Sequence, residues 1–215
     1  LAVPRASGDY QALDLAARVL GGEGANRLEQ VLRAKRGLTY GASAELEAHR
    51  SAGRLVAETD TWTEATVDAL RVVMEEFRRL QRDAAGGPDL EAAKGYLAGS
   101  FPLEIETPDA IATRILMALF YGRPPGELND FGARVSAVTS QQVAQAAQAH
   151  VKPEQLSIVL VGNAGAFVPQ LSRLGISKPD VIPLAELDIT ASDLRRVRQP
   201  APAQAGVTGA PTAVP

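Results

Sequence analysis

The chain has 215 residues, 46% of them apolar and 22% charged, with a formal net charge of −3. This is the balance of a globular protein, long enough to bury roughly 70% of its unfolded surface without staples. Having no cysteine, it is excluded from disulfides, thiolate metal sites and cysteine nucleophiles, and it suits periplasm and cytoplasm equally. His49 and His150 are the only histidines and lie far apart, so no metal site is expected in this chain. The slightly acidic balance leaves no footprint for nucleic acid, and no apolar run approaches the ~20 residues of a membrane span.

Leu1-Ala2-Val3-Pro4-Arg5 lacks a basic n-region and an apolar h-region; it reads as the end of a strand and not as a signal peptide. Ser7 to Asp9 can cap a helix that carries Leu13, Ala16, Ala17 and Leu20 on one face and stops at Gly21-Gly22. Asn26 caps a shorter helix with Leu28, Val31 and Leu32 inward, ending at Gly37. Alternation then predicts a strand through Tyr40, Ala42, Ala44, Leu46 and Ala48, a turn at Ser51 to Gly53, and a second strand through Leu55, Ala57 and Thr59.

Thr61-Trp62-Thr63-Glu64 fits a capping box. The helix after it places Val67, Leu70, Val73, Met74, Phe77 and Leu80 at helical spacing, the strongest periodicity in the chain. Gly86-Gly87-Pro88 ends that unit, and Asp89 to Ser100 reads as a further helix. Thr107-Pro108 opens another, reaching about Tyr121-Gly122, since proline at a first helical position loses no hydrogen bond. Helices follow over Glu127 to Ser136 and from the Thr139/Gln142 capping pattern to His150. Leu156 to Gly162 is a β-branched run, expected to form a buried strand, and Val181-Ile182 an edge strand ahead of Pro183.

Strand candidates adjacent in sequence predict an α+β domain, an antiparallel sheet with helices packed on one face. The domain is expected over residues 1–192, with 193–215 a Pro/Ala/Gly-rich flexible tail: the run from Gln199 has no charge and too little apolar bulk to offset its ordering entropy.

Few residues suggest chemistry. There is no G-x-S-x-G and no G-x-x-x-x-G-K-[ST] sequence. Gly21-Gly22-Glu23-Gly24 lies between two helices, where a C-cap and a tight turn account for it. Glu104 and Glu106, near Pro102 and Pro108, read as solvated charges beside a cap. The run Leu32-Arg33-Ala34-Lys35-Arg36-Gly37-Leu38-Thr39-Tyr40-Gly41 is less ordinary. A helix–turn–strand can aim Arg33 and Tyr40 at one spot, where guanidinium and phenol would hydrogen-bond a peptide carbonyl or an oxyanion. A basic helix end that satisfies the dipole, followed by a strand tyrosine, accounts for the same residues.

Leu20-Gly21-Gly22, Asn26-Arg27-Leu28 and Leu32-Arg33 through Tyr40 together resemble the second homologous domain of the pitrilysin/insulinase-type zinc peptidases. Ala93-Lys94 through Ser100-Phe101, Glu106-Thr107-Pro108, Ala118 through Gly122, Val138-Thr139 with Val143, and Val159 through Gly162 continue that resemblance over roughly residues 1–175.

The resemblance implies a mechanism divided between two halves. A homologous domain or subunit would hold zinc through H-x-x-E-H, a motif missing from this sequence, and activate a water. This half would close over it, Arg33 and Tyr40 holding the peptide substrate and stabilising the tetrahedral intermediate. Gly21, Gly22 and Gly24 fall where some relatives carry a glycine-rich substrate loop. The resemblance also covers a second case: a catalytically silent structural or assembly subunit with the same fold.

Overall fold

The computed structural model describes residues 2–23, 26–83 and 87–196. Two compact units are present, Leu1–Ile176 and Ser177–Pro215.

The first unit is organised around α1 (Tyr10–Gly21), which packs against the hairpin and against three later helices. Leu13, Ala16, Ala17 and Leu20 are buried as their spacing predicts, but so are Ala12, Leu15 and Val19. A helix apolar nearly all round belongs at the centre of a domain. Asp14 is buried with it and is paired with Arg18 at 3.2 Å. Asp9 occupies the N-cap position without capping the helix; its carboxylate meets His150 Nε2 at 2.8 Å.

β1 (Thr39–Ala48) and β2 (Gly53–Thr61) form an antiparallel hairpin, with Leu46 opposite Leu55 and Ala44 opposite Ala57. Ala42, Ala44 and Leu46 face the core, where small side chains admit α1 closely. The α+β layout with an antiparallel sheet is therefore observed, as a two-stranded sheet covered by helices. Ala2 extends it by a single antiparallel bridge to Gly53 on the far side of β2.

α2 (Thr66–Arg82) buries Ala69, Val72, Glu76, Phe77 and Leu80. Val67, Leu70, Val73 and Met74, also on the predicted apolar stripe, are only half-buried, because the helix turns a neighbouring stripe toward α1 and α6 (Ser140–His150). The capping box expected at Thr61 does not form. Thr61 ends β2 and gives its hydroxyl to the Leu38 carbonyl at 2.5 Å, so the chain enters α2 through a 3-10 turn at Thr63–Ala65. At α6 the box is complete: Thr139 accepts from the Gln142 N–H, and Gln142 returns a bond to the Thr139 N–H at 2.8 Å.

α3 (Pro88–Glu104) continues past Ser100 through Pro102, and Phe101 stacks on Phe131 of α5 (Phe131–Ala137) at 4.1 Å. α4 (Pro108–Phe120) starts at its predicted Thr107 cap.

The expected strand over Leu156 to Gly162 is not one: residues 156–161 lack regular structure, with Val159 84% and Val161 97% exposed. A β-branched run becomes a strand only where a neighbour takes its backbone hydrogen bonds, and among the described residues no strand lies beside it. In the second unit Val181-Ile182 likewise forms no strand; the described residues there make a 3-10 turn at Leu184–Glu186 and a bridge between Leu187 and Arg195. Of the expected tail, residues 197–215 lie outside the described residues.

Candidate functional site

The segment from Gly21 to Ser43 is shaped by three local devices. Asn26, itself buried, starts the helix of the site by accepting the Glu29 N–H at 2.8 Å, while its amide donates to the Gly22 carbonyl at 2.8 Å. Both ends of one side chain thus tie the glycine turn to the helix. That helix continues as a π-helix over Glu29–Lys35, anchored by fully buried Leu28 and Leu32. π-helical turns widen the spiral and are frequent at functional sites.

The second device is Gly37. With φ at +63°, it adopts the left-handed conformation that ends helices at little steric cost to glycine. Its N–H bonds the Arg33 carbonyl at 3.0 Å and the next N–H, of Leu38, reaches Leu32 at 2.8 Å. The chain reverses at once into β1. The third device is an irregularity in the β1 register between Thr39 and Ala42. Thr39 is buried there, its hydroxyl within hydrogen-bonding distance of the Gly41 carbonyl, 2.7 Å, and of the Thr59 hydroxyl, 3.0 Å. Such bulges re-aim the side chain beside them, and Tyr40 is turned outward, 87% exposed.

Arg33 and Tyr40 consequently meet. The guanidinium carbon lies 5.1 Å from the phenol ring centroid, within cation–π range. On its other side Arg33 Nη1 lies 3.5 Å from Glu29 Oε1, and its side chain remains 50% exposed. Beside them is a shallow hollow of about 210 Å³ lined by Gly21, Gly22, Glu23, Asn26, Glu29, Ala42 and Ser43. Glu29 belongs both to this hollow and to the arginine pair, and so links the glycine turn to Arg33. Gly24 lies outside the described residues.

Gly21 is buried against the β1 backbone, whereas Gly22 is half-buried at the mouth of the turn. Glu29 was not apparent as a site residue from sequence; its one signal is its place four residues before Arg33. His49 is exposed at the hairpin turn, and Glu104 is paired with Arg114. Among the described residues no group of three or more His, Cys, Asp or Glu is placed to hold a metal ion. Zinc therefore does not fit the donors these residues offer. Among the same residues no helix is long and apolar enough to cross a membrane.

Residues 1–97, which include this entire surface, match the family described as the peptidase M16 inactive domain. Over those residues the chain resembles an M16 inactive domain. A peptidase M16 inactive domain from Pseudomonas fluorescens is similar to it at 29% identity and a TM-score of 0.66, over 71% of this chain and 37% of that one. An inactive peptidase domain from Bordetella parapertussis shares the fold at 19% identity and a TM-score of 0.59, over 69% and 81% respectively. A chain of Complex III2 from Candida albicans does so at 13% identity and a TM-score of 0.58, over 68% and 37%. No curated protein matches the chain. The chain thus spans little more than a third of the length of the Pseudomonas chain.

Proposed function

We propose that this chain belongs to the M16 inactive domains and is the non-catalytic, substrate-binding half of a zinc metalloendopeptidase. Zinc is held by a homologous domain preceding it or by a partner subunit, and the ligand of this half is an extended peptide. The observation that carries the reading is the exposed Arg33/Tyr40 pair, joined through Glu29 to the hollow. A guanidinium and a phenol side by side offer several N–H donors and one O–H donor to a single carbonyl oxygen. Donors held in place before reaction bind most strongly where negative charge develops. The pair would hold the substrate carbonyl and favour its tetrahedral oxyanion, while Gly22 and Gly24 would let the peptide backbone approach closely beside it; Gly21, packed against β1, would support that turn from beneath.

The test is hydrolysis of a fluorogenic peptide by this chain alone and after mixing with a candidate half that carries H-x-x-E-H. The chain alone is expected to be inactive. Activity that appears on mixing and falls at least ~10²-fold with Arg33→Ala or Tyr40→Phe matches the loss of oxyanion donors. An active mixture indifferent to both substitutions removes the assignment of the pair. No activity with any such half would favour a silent structural subunit, a reading for which the Candida Complex III2 chain supplies only a shared fold.

A further inference from the structure

Glu29 stands between the hollow and the arginine on which the proposed function depends. Asn26 holds its backbone N–H at 2.8 Å, its carboxylate lies 3.5 Å from Arg33 Nη1, and it lines the hollow beside Gly21 and Gly22. Because the Asn26 amide is also bonded to the Gly22 carbonyl, the start of the helix and the glycine turn keep a fixed relation. Among the described residues Glu29 is the carboxylate paired with Arg33.

An uncompensated guanidinium prefers a carboxylate, taken through two parallel N–H···O bonds, to a neutral carbonyl. A carboxylate already at one edge of that guanidinium opposes the full charge of a second carboxylate more strongly than the partial charge of a neutral carbonyl. From this geometry we infer that Glu29 is a specificity-determining residue: it compensates Arg33 so that the Arg33/Tyr40 pair accepts the neutral carbonyl of an internal peptide bond and discriminates against a free C-terminal carboxylate. The ligand class selected is a segment within a longer chain, or a peptide whose C-terminus is blocked. The inference rests on the reading of Arg33 and Tyr40 as a peptide-carbonyl site.

The experiment uses one extended peptide, N-acetylated, in two forms: C-terminal amide and C-terminal carboxylate. Each is titrated into the full chain while the Arg33 Nε–H and Tyr40 ring resonances are followed by NMR. The wild type binds the amide form more tightly. Glu29→Gln retains the shape of the side chain and one acceptor oxygen but removes its charge. It is expected to raise the affinity of the carboxylate form relative to the amide form about fivefold at low ionic strength, and by less in high salt. Arg33→Ala weakens both forms.

If Arg33→Ala weakens both forms and Glu29→Gln leaves their ratio unchanged, Glu29 has no part in specificity and the inference is overturned. If the wild type binds neither form, or Arg33→Ala and Tyr40→Phe alter neither affinity, the carbonyl-site reading itself fails. The two failures are separated by the response to Arg33→Ala.

Discussion

Gly21 of α1 lies so close to Ala44 of β1 that a Cβ on the glycine would stand 2.2 Å from the Ala44 backbone nitrogen. Neither element can retreat easily, since α1 is buried on almost every side. Gly21→Ala is therefore expected to destabilise the domain by about 1–3 kcal/mol, as overpacked sites do. Gly99→Ala provides the contrast. A Cβ at Gly99, inside α3, meets nothing within 4 Å, and removing a helical glycine should add roughly 0.5–1 kcal/mol. Urea unfolding followed by circular dichroism should move the two midpoints in opposite directions; a neutral Gly21→Ala would show that the helix and strand can separate freely.

The two capping sequences offer a second test. Thr139→Ala removes an observed reciprocal cap on α6 and should lower stability by about 1 kcal/mol. Glu64→Ala removes an exposed side chain from a cap that did not form, and should stay within about 0.5 kcal/mol of the wild type. Equal losses in thermal unfolding would contradict the structure at the entry to α2.

The third expectation concerns acid stability. Partial burial raises the carboxyl of Glu127, but hydrogen bonds from Arg123 and Arg134 outweigh it and hold the folded value below the ordinary 4.5. A depressed carboxylate contributes stability that is present above the unfolded value and is lost as pH falls through the folded one. Glu127→Gln should thus weaken the protein at neutral pH and differ progressively less from the wild type as pH drops below 4.5. A difference that grows with acidity would reverse the assigned sign.

Much of this architecture is legible in the chain itself. The Gly21-Gly22 stop, the Asn26 cap, the Gly37 reversal, the Ser51–Gly53 turn and the Thr107 and Thr139 caps each depend on residues close in sequence, and each is observed. The motif around Arg33 and Tyr40 was legible for the same reason, because one helix, one turn and one strand place both side chains. Glu29 was less apparent. A glutamate four residues before an arginine is common on helix surfaces, and it joins the site here because a hollow opens beside it.

What the sequence determined by itself was local: where the backbone starts, stops and reverses, and hence the α+β class and the Arg33/Tyr40 juxtaposition. Only the tertiary structure decided which surfaces are buried and which runs become strands. α1 is wrapped on nearly all sides, α2 buries Ala69 and Val72 in place of part of its predicted stripe, and Leu156 to Val161 remains outside the sheet. Caps and turns are satisfied by atoms a few residues away, whereas burial and strand pairing require a distant partner, whose position no local pattern encodes.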